Sequence, residues 1–132
     1  MTFAPLVVSL PIADRQTSYA FYQRALGLEA IGEPGDDGVP EPLQLVVNDG
    51  VRVMLVPRGG FGWVIGGAEV ATGQHECLLA IALPSAADAD ALVEQAVAAG
   101  ADLVTPPGQQ PWGYAGAFAD PDGHVWMVRV GD

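Results

Sequence analysis

The apolar positions along this chain change period several times, and each change marks an element. Residues 6–12 form a β-type apolar run of strand length that ends at Asp14. From there Ser18, Phe21, Tyr22, Ala25 and Leu26 recur at helical spacing, with Asp14 placed to cap the helix and Gly27 to end it. Residues 28–31 read as a short strand, and residues 32–42 as a turn-rich loop containing Glu33, Asp36, Asp37 and Glu41. Two more strands, 43–47 and 51–56, are joined by Asn48-Asp49-Gly50, a hairpin signal because glycine takes the positive φ that tight turns need. Residues 57–73 are rich in glycine and read as a loop carrying Phe61 and Trp63.

The second half repeats the order. Residues 77–83 form an apolar run that predicts a buried strand including Cys77. Ser85, with Asp88 three positions on, caps a helix whose apolar stripe is Ala89, Leu92, Val93, Ala96 and Val97, and Gly100 closes it. Residues 103–105 predict a short strand and 106–111 a loop. Last come two β-type runs hinged on Asp120-Pro121-Asp122-Gly123, the strongest turn signal in the chain. Seven residue pairs match at a separation of 73, among them Pro11 and Pro84, Gly27 and Gly100, Gly50 and Gly123, and Met54 and Met127; Leu10 and Leu83 share it. Two copies of a βαβββ module, about 1–57 and 76–132, are therefore expected, linked by the glycine-rich loop 58–75 within a single domain spanning 1–132. One such module cannot bury its sheet alone. The predicted fold class is α+β, the paired modules forming a curved, partly open eight-stranded sheet with helices outside and a cleft inside.

This architecture resembles the vicinal oxygen chelate superfamily, which includes glyoxalase I, extradiol dioxygenases, fosfomycin-resistance enzymes and bleomycin-resistance proteins. The residues that carry the resemblance are Leu10-Pro11-Ile12-Ala13-Asp14 leading to Ala20-Phe21-Tyr22, then Leu26-Gly27-Leu28, Pro111-Trp112-Gly113, and Phe118-Ala119-Asp120-Pro121-Asp122-Gly123-His124. Enzymes of that superfamily hold a divalent metal on the first and last strands of each module. The resemblance places those positions at Val7, Met54, Met127 and either Ala80 or Leu78. All are apolar, and a thioether is a poor ligand for a hard cation. Shifting each strand by one residue brings in no donor either. No metal ligands and no cofactor are expected, which favours the metal-free, bleomycin-resistance-like branch.

Composition then narrows the partners. The chain has 132 residues with 16 acids, five arginines and no lysine, a net charge of -11. Such a surface repels nucleic acid and anionic membranes, and without lysine no side-chain Schiff base can form. No apolar run approaches the roughly 20 residues of a membrane span. The N-terminus lacks the basic start of a secretory signal, so a soluble, cytoplasmic protein is expected. Cys77 is the lone cysteine and reads as a small core residue. His124 shares strand parity with Trp126 and Val128, opposite Met127, and His75 precedes a strand; both read as turn or loop residues.

Strand alternation puts Ser9, Pro11, Arg52, Met54 and Val56 on the face of Val7, and Ala80, Ala82, Val125, Met127 and Arg129 on the face of Leu78. An apolar floor with few polar handles suits a flat or apolar ligand. Phe61, Trp63, Trp112 and Tyr114 are the aromatic candidates at its rim, with Arg52, Met54 and Met127 in the floor. No catalytic residue is assigned. The resemblance implies a homodimer that sequesters a planar or cationic natural product, with the acidic loop as a source of counter-charge. Two alternatives stand beside this expectation. One is a metal-independent enzyme using Tyr114, Asp120 or His75 for acid/base work; the other is a metal-dependent lyase or dioxygenase whose ligands lie elsewhere.

Overall fold

The computed structural model describes residues 1–131. It contains two compact units, Met1–Gln23 with Gly27–Thr72, and Arg24–Leu26 with Gly73 onward. Each holds one four-stranded mixed sheet, and neither sheet closes on itself.

In the first unit the elements are β1 (Leu6–Ile12), α1 (Arg15–Ala25), β2 (Glu29–Ala30), β3 (Leu43–Asn48), β4 (Val51–Pro57) and α2 (Arg58–Val64). The sheet order is β1-β4-β3-β2, with β1 parallel to β4 and the rest antiparallel. Helix α1 starts where the sequence predicts, because the Asp14 carboxylate accepts the Thr17 N–H at 2.7 Å. Alternation divides the strands cleanly. Leu10, Ile12, Leu43, Leu45, Val53 and Leu55 are buried on one face, and Phe21 and Tyr22 of α1 are buried as well, their rings edge to face. Val7, Ser9, Arg52 and Met54 lie on the other face, with Val7 opposite Arg52 and Ser9 opposite Met54.

The second unit contains β5 (Leu79–Leu83), α3 (Ala86–Ala98), β6 (Asp102–Gln110), β7 (Gly113–Ala119) and β8 (Val125–Val130), in the order β5-β8-β7-β6. The Ser85 hydroxyl accepts the Asp88 N–H at 3.1 Å, as the cap signature predicts. Ala89, Val93 and Ala96 of α3 are buried, as are Phe118 of β7 and Trp126 and Val128 of β8. The hinge between β7 and β8 is built on Asp120. Its buried carboxylate accepts the N–H groups of Asp122 and His124 at 2.9 and 2.8 Å, which fixes the turn that Gly123 completes at φ 89°.

The internal repeat is real, but its separation changes along the chain. Met54 faces Ser9, whereas Met127 faces Ala80, so β1 and β5 match at a separation of 71 while β4 and β8 match at 73. The caps Asp14 and Ser85 also differ by 71. Helix α3 has 13 residues against 11 in α1, and those two residues restore 73 at Gly27 and Gly100. The matches of Pro11 with Pro84 and Leu10 with Leu83 are therefore fortuitous. The counterpart of Val7 is Leu78.

Three local expectations need correction. Residues 58–64 form a helix, although glycines at 59, 60 and 62 argue for a loop by propensity. Cys77 is exposed and lies outside β5, which begins at Leu79, and no residue of β5 is fully buried, so the expected buried strand is a half-exposed edge strand. Residues 106–110 belong to β6, not to a loop. Pro106 and Pro107 are tolerated there because β6 is an edge strand whose register shifts on both sides of Thr105. Among the described residues no helix is long and apolar enough to cross a membrane.

Candidate functional site

The second module carries a hollow on the face of its sheet opposite α3. Its lining is Thr105, Gln110, Trp112, Ala115, Gly116, Ala117 and Met127, with a volume of about 230 Å³. The hollow exists because β7 presents alanines on this face. Ala117 stands opposite Met127, and Ala115 opposite Arg129, so short side chains lie between longer ones and leave a depression. Strand β6 approaches unusually closely beside it. A Cβ on Gly116 would meet Pro107 Cγ at 2.9 Å and Pro107 Cα and N at 3.0 Å, so only glycine fits. Trp112 stands at the rim in the turn between Gln110 and Gly113, 64% exposed. Pro111 before it and Gly113 after it, at φ 142°, give the composition of a tight turn that leaves the indole free of the core.

The predicted site residues are distributed as follows. Trp112 and Met127 line the same hollow. Tyr114 does not join them: on β7 it shares the parity of Phe118, and its hydroxyl donates to Asp90 of α3 at 2.5 Å. That bond, which the Asp90 carboxylate would oppose losing, pushes the Tyr114 pKa up. Arg52 and Met54 lie in the first module, on the open face of its sheet beside Val7 and Ser9. Phe61 and Trp63 sit on α2, also in the first module, Trp63 being 81% exposed. Thr105, Gln110, Ala115 and Ala117 were not singled out by sequence. The alternating Ala115 and Ala117 were the available signal, since two alanines on one strand face imply missing volume.

The acidic loop proves to be held by a cation of its own module. Arg15 Nε donates to Asp37 at 3.1 Å, and Nη2 donates to the carbonyls of Val39 and Pro40 at 2.9 and 3.0 Å. Arg15 Nη1 lies 3.0 Å from the Glu41 carboxylate. The Arg15 hydrogen bond, helped by the Val39 N–H, holds the Asp37 carboxyl below the usual carboxylate range. Arg15 thus offsets one of the two charges on Asp37 and Glu41 and ties both carboxylates to a cation of their own module.

A sequence profile of the Glyoxalase/Bleomycin resistance protein/Dioxygenase superfamily matches residues 5–128. The chain belongs to that superfamily. Its fold recurs in hypothetical protein SA1046 from S. aureus, at 22% identity and TM-score 0.84, covering 99% of this chain and 96% of the other. A glyoxalase-related enzyme from Fulvimarina pelagi is similar at 27% identity and TM-score 0.83, with 98% and 88% covered. A member from Burkholderia phytofirmans PsJN follows at 21% identity and TM-score 0.78, with 94% and 95% covered. No curated protein matches.

The metal enzymes of the glyoxalase superfamily need hard donors, and these modules do not offer them at the expected positions. Val7, Met54, Leu78 and Met127 supply alkyl groups and thioethers. Among the described residues no three His, Cys, Asp or Glu side chains gather. This donor set does not fit a divalent cation.

Proposed function

We propose that this glyoxalase-superfamily member is a metal-free small-molecule-binding protein that sequesters a planar natural product, in the manner of antibiotic-binding relatives. The observation that carries this reading is the hollow of the second module. It has an apolar floor of Met127, Ala115 and Ala117, an exposed indole at the rim, and Thr105 and Gln110 as its polar handles. A flat ring laid on Met127 can stack against Trp112, a contact worth about 0.5–1.5 kcal/mol beyond the area it buries. The volume, about 230 Å³, is below the roughly 300–1,000 Å³ of sites that enclose a drug-sized molecule. The hollow therefore takes the ring portion of a larger compound. Asp120, one of the acid/base candidates beside Tyr114 and His75, is buried and accepts two backbone N–H groups of its turn.

A thermal-shift screen against bleomycin-like, mitomycin-like and quinoline-bearing antibiotics tests the proposal. At least one should raise the melting temperature, and loss of that rise in Trp112→Ala would locate the contact. A flat response across the set would sink it. We also propose a homodimer, which light scattering would report as twice the 13.7 kDa chain mass. A second reading, a metal-dependent enzyme, draws support from the description of the Fulvimarina pelagi relative as an enzyme. Stoichiometric metal in protein purified without chelator would favour it over sequestration.

A further inference from the structure

Beside the hollow stands an arginine. Arg129 lies two residues beyond Met127 on β8 and on the same face, paired with Ala115 of β7 and Ala82 of β5. Its neighbours on that face, Ala80, Ala82, Ala115, Ala117 and Met127, are all uncharged. Among the described residues Arg129 makes no side-chain hydrogen bond or ion pair, as is also true of Arg24 and Arg52, while Arg15 takes Asp37 and Glu41 and Arg58 donates to Thr72 at 2.8 Å. The chain has 16 acids for five arginines, yet none of those among the described residues pairs with this half-buried arginine.

We propose that Arg129 is the specificity-determining residue of this hollow, and that its ligand is a flat ring bearing an anionic group such as a carboxylate. This rests on the sequestration reading and names its ligand class, replacing the cationic ligand that the acidic composition suggests. A two-residue step along a strand is about 6–7 Å, so a substituent at the edge of a fused ring lying over Met127 comes within reach of the guanidinium. The planar fork matches a carboxylate with two parallel donors, which neither Thr105 nor Gln110 can do. The net charge of -11 opposes an anion only weakly at physiological salt, since exposed charges farther away than about 8 Å are largely screened. Affinity is then set locally by Arg129, whereas the acidic surface slows association. Added salt should accelerate binding of the anion, the reverse of what an attracted cation shows.

Isothermal titration of the full chain with 2-naphthoate, 2-naphthamide and 2-naphthylmethylammonium compares one ring with three charges. The naphthoate should bind about ten- to a hundredfold more tightly than the amide, the range of a charged hydrogen bond. Arg129→Met should bring the naphthoate down to the affinity of the amide, and Arg129→Lys should keep part of the preference. Equal or tighter binding of the ammonium or the amide by the wild type overturns this inference while leaving sequestration standing. A preference that survives Arg129→Met does the same. Failure of all three rings to bind overturns sequestration and the inference together. If Arg129→Met fails to fold, the wild-type order and Arg129→Lys decide.

Discussion

Replacing Gly116 with alanine should destabilise the second module through a single methyl group. The new Cβ would stand 2.9 Å from Pro107 Cγ and 3.0 Å from Pro107 Cα and N. All three atoms are backbone or held to it by the proline ring, so no side-chain rotation relieves the overlap, and β6 must move away from β7. Overpacking of this kind costs about 1–3 kcal/mol. The loss of glycine's freedom in the unfolded chain returns about 0.4–1 kcal/mol. The expected net loss is about 1–2 kcal/mol, a fall in melting temperature of roughly 3–8 °C for a chain of this size. Gly59→Ala is the matched control: its Cβ would meet nothing within 4 Å, and it lies in α2. There the same substitution should be neutral or stabilising by up to about 1 kcal/mol. Scanning calorimetry of both variants gives the answer. Equal melting temperatures, or a larger loss at Gly59, would refute the close approach of β6 to β7 and with it the shape of the hollow.

Asp120→Ala removes the acceptor of two backbone N–H groups in the β7–β8 turn, and should cost about 2–4 kcal/mol by denaturant unfolding; Asp120→Asn keeps one acceptor and should lose less. Tyr114→Phe breaks an exposed bond to Asp90 and should leave ring affinity unchanged, whereas Trp112→Ala should weaken it about two- to tenfold, both read by titration. The Asp37 pKa is lowered in the folded state, so its contribution is present above the ordinary carboxylate value near 3.8 and is lost as pH falls through the lower folded one. Hydrogen exchange at the Val39 amide, which donates to Asp37, should accordingly rise relative to the β4 amides only below that pH, and Arg15→Met should move the onset upward.

Much of the fold was legible because its residues obey local rules. The caps at Asp14 and Ser85, the buried Ala89, Val93 and Ala96 of the α3 stripe (though Val97 is exposed), and the alternation in β1, β4 and β8 each have one physical cause that sequence displays. What sequence concealed depends on tertiary context. Helix α2 forms despite its glycines, although Phe61 and Ile65 carry its one-turn spacing, with Ile65 N–H bonding to the Phe61 carbonyl at 3.1 Å. Strand β6 runs through two prolines because an edge strand can spare their missing donors. Tyr114 is grouped with Trp112 by sequence as an aromatic at a strand end, but the strand begins at Gly113, and alternation from there turns Tyr114 toward α3. The hollow itself is an absence of volume at Ala115 and Ala117, visible only once β7 is paired with β8.

The central claim, that a flat ring lies on the floor of the second module without a metal, can be read at one atom. The chain has three methionines, Met1, Met54 and Met127, and among them Met127 lines the hollow. Methyl-labelled protein treated with a chelator should be titrated with 2-naphthoate while the three methionine signals are followed by nuclear magnetic resonance. The account predicts a saturable upfield displacement of the Met127 methyl from the ring current, with Met1 unmoved. A Met127 signal that stays in place while the ligand binds, or that moves only after a divalent cation is restored, would contradict it.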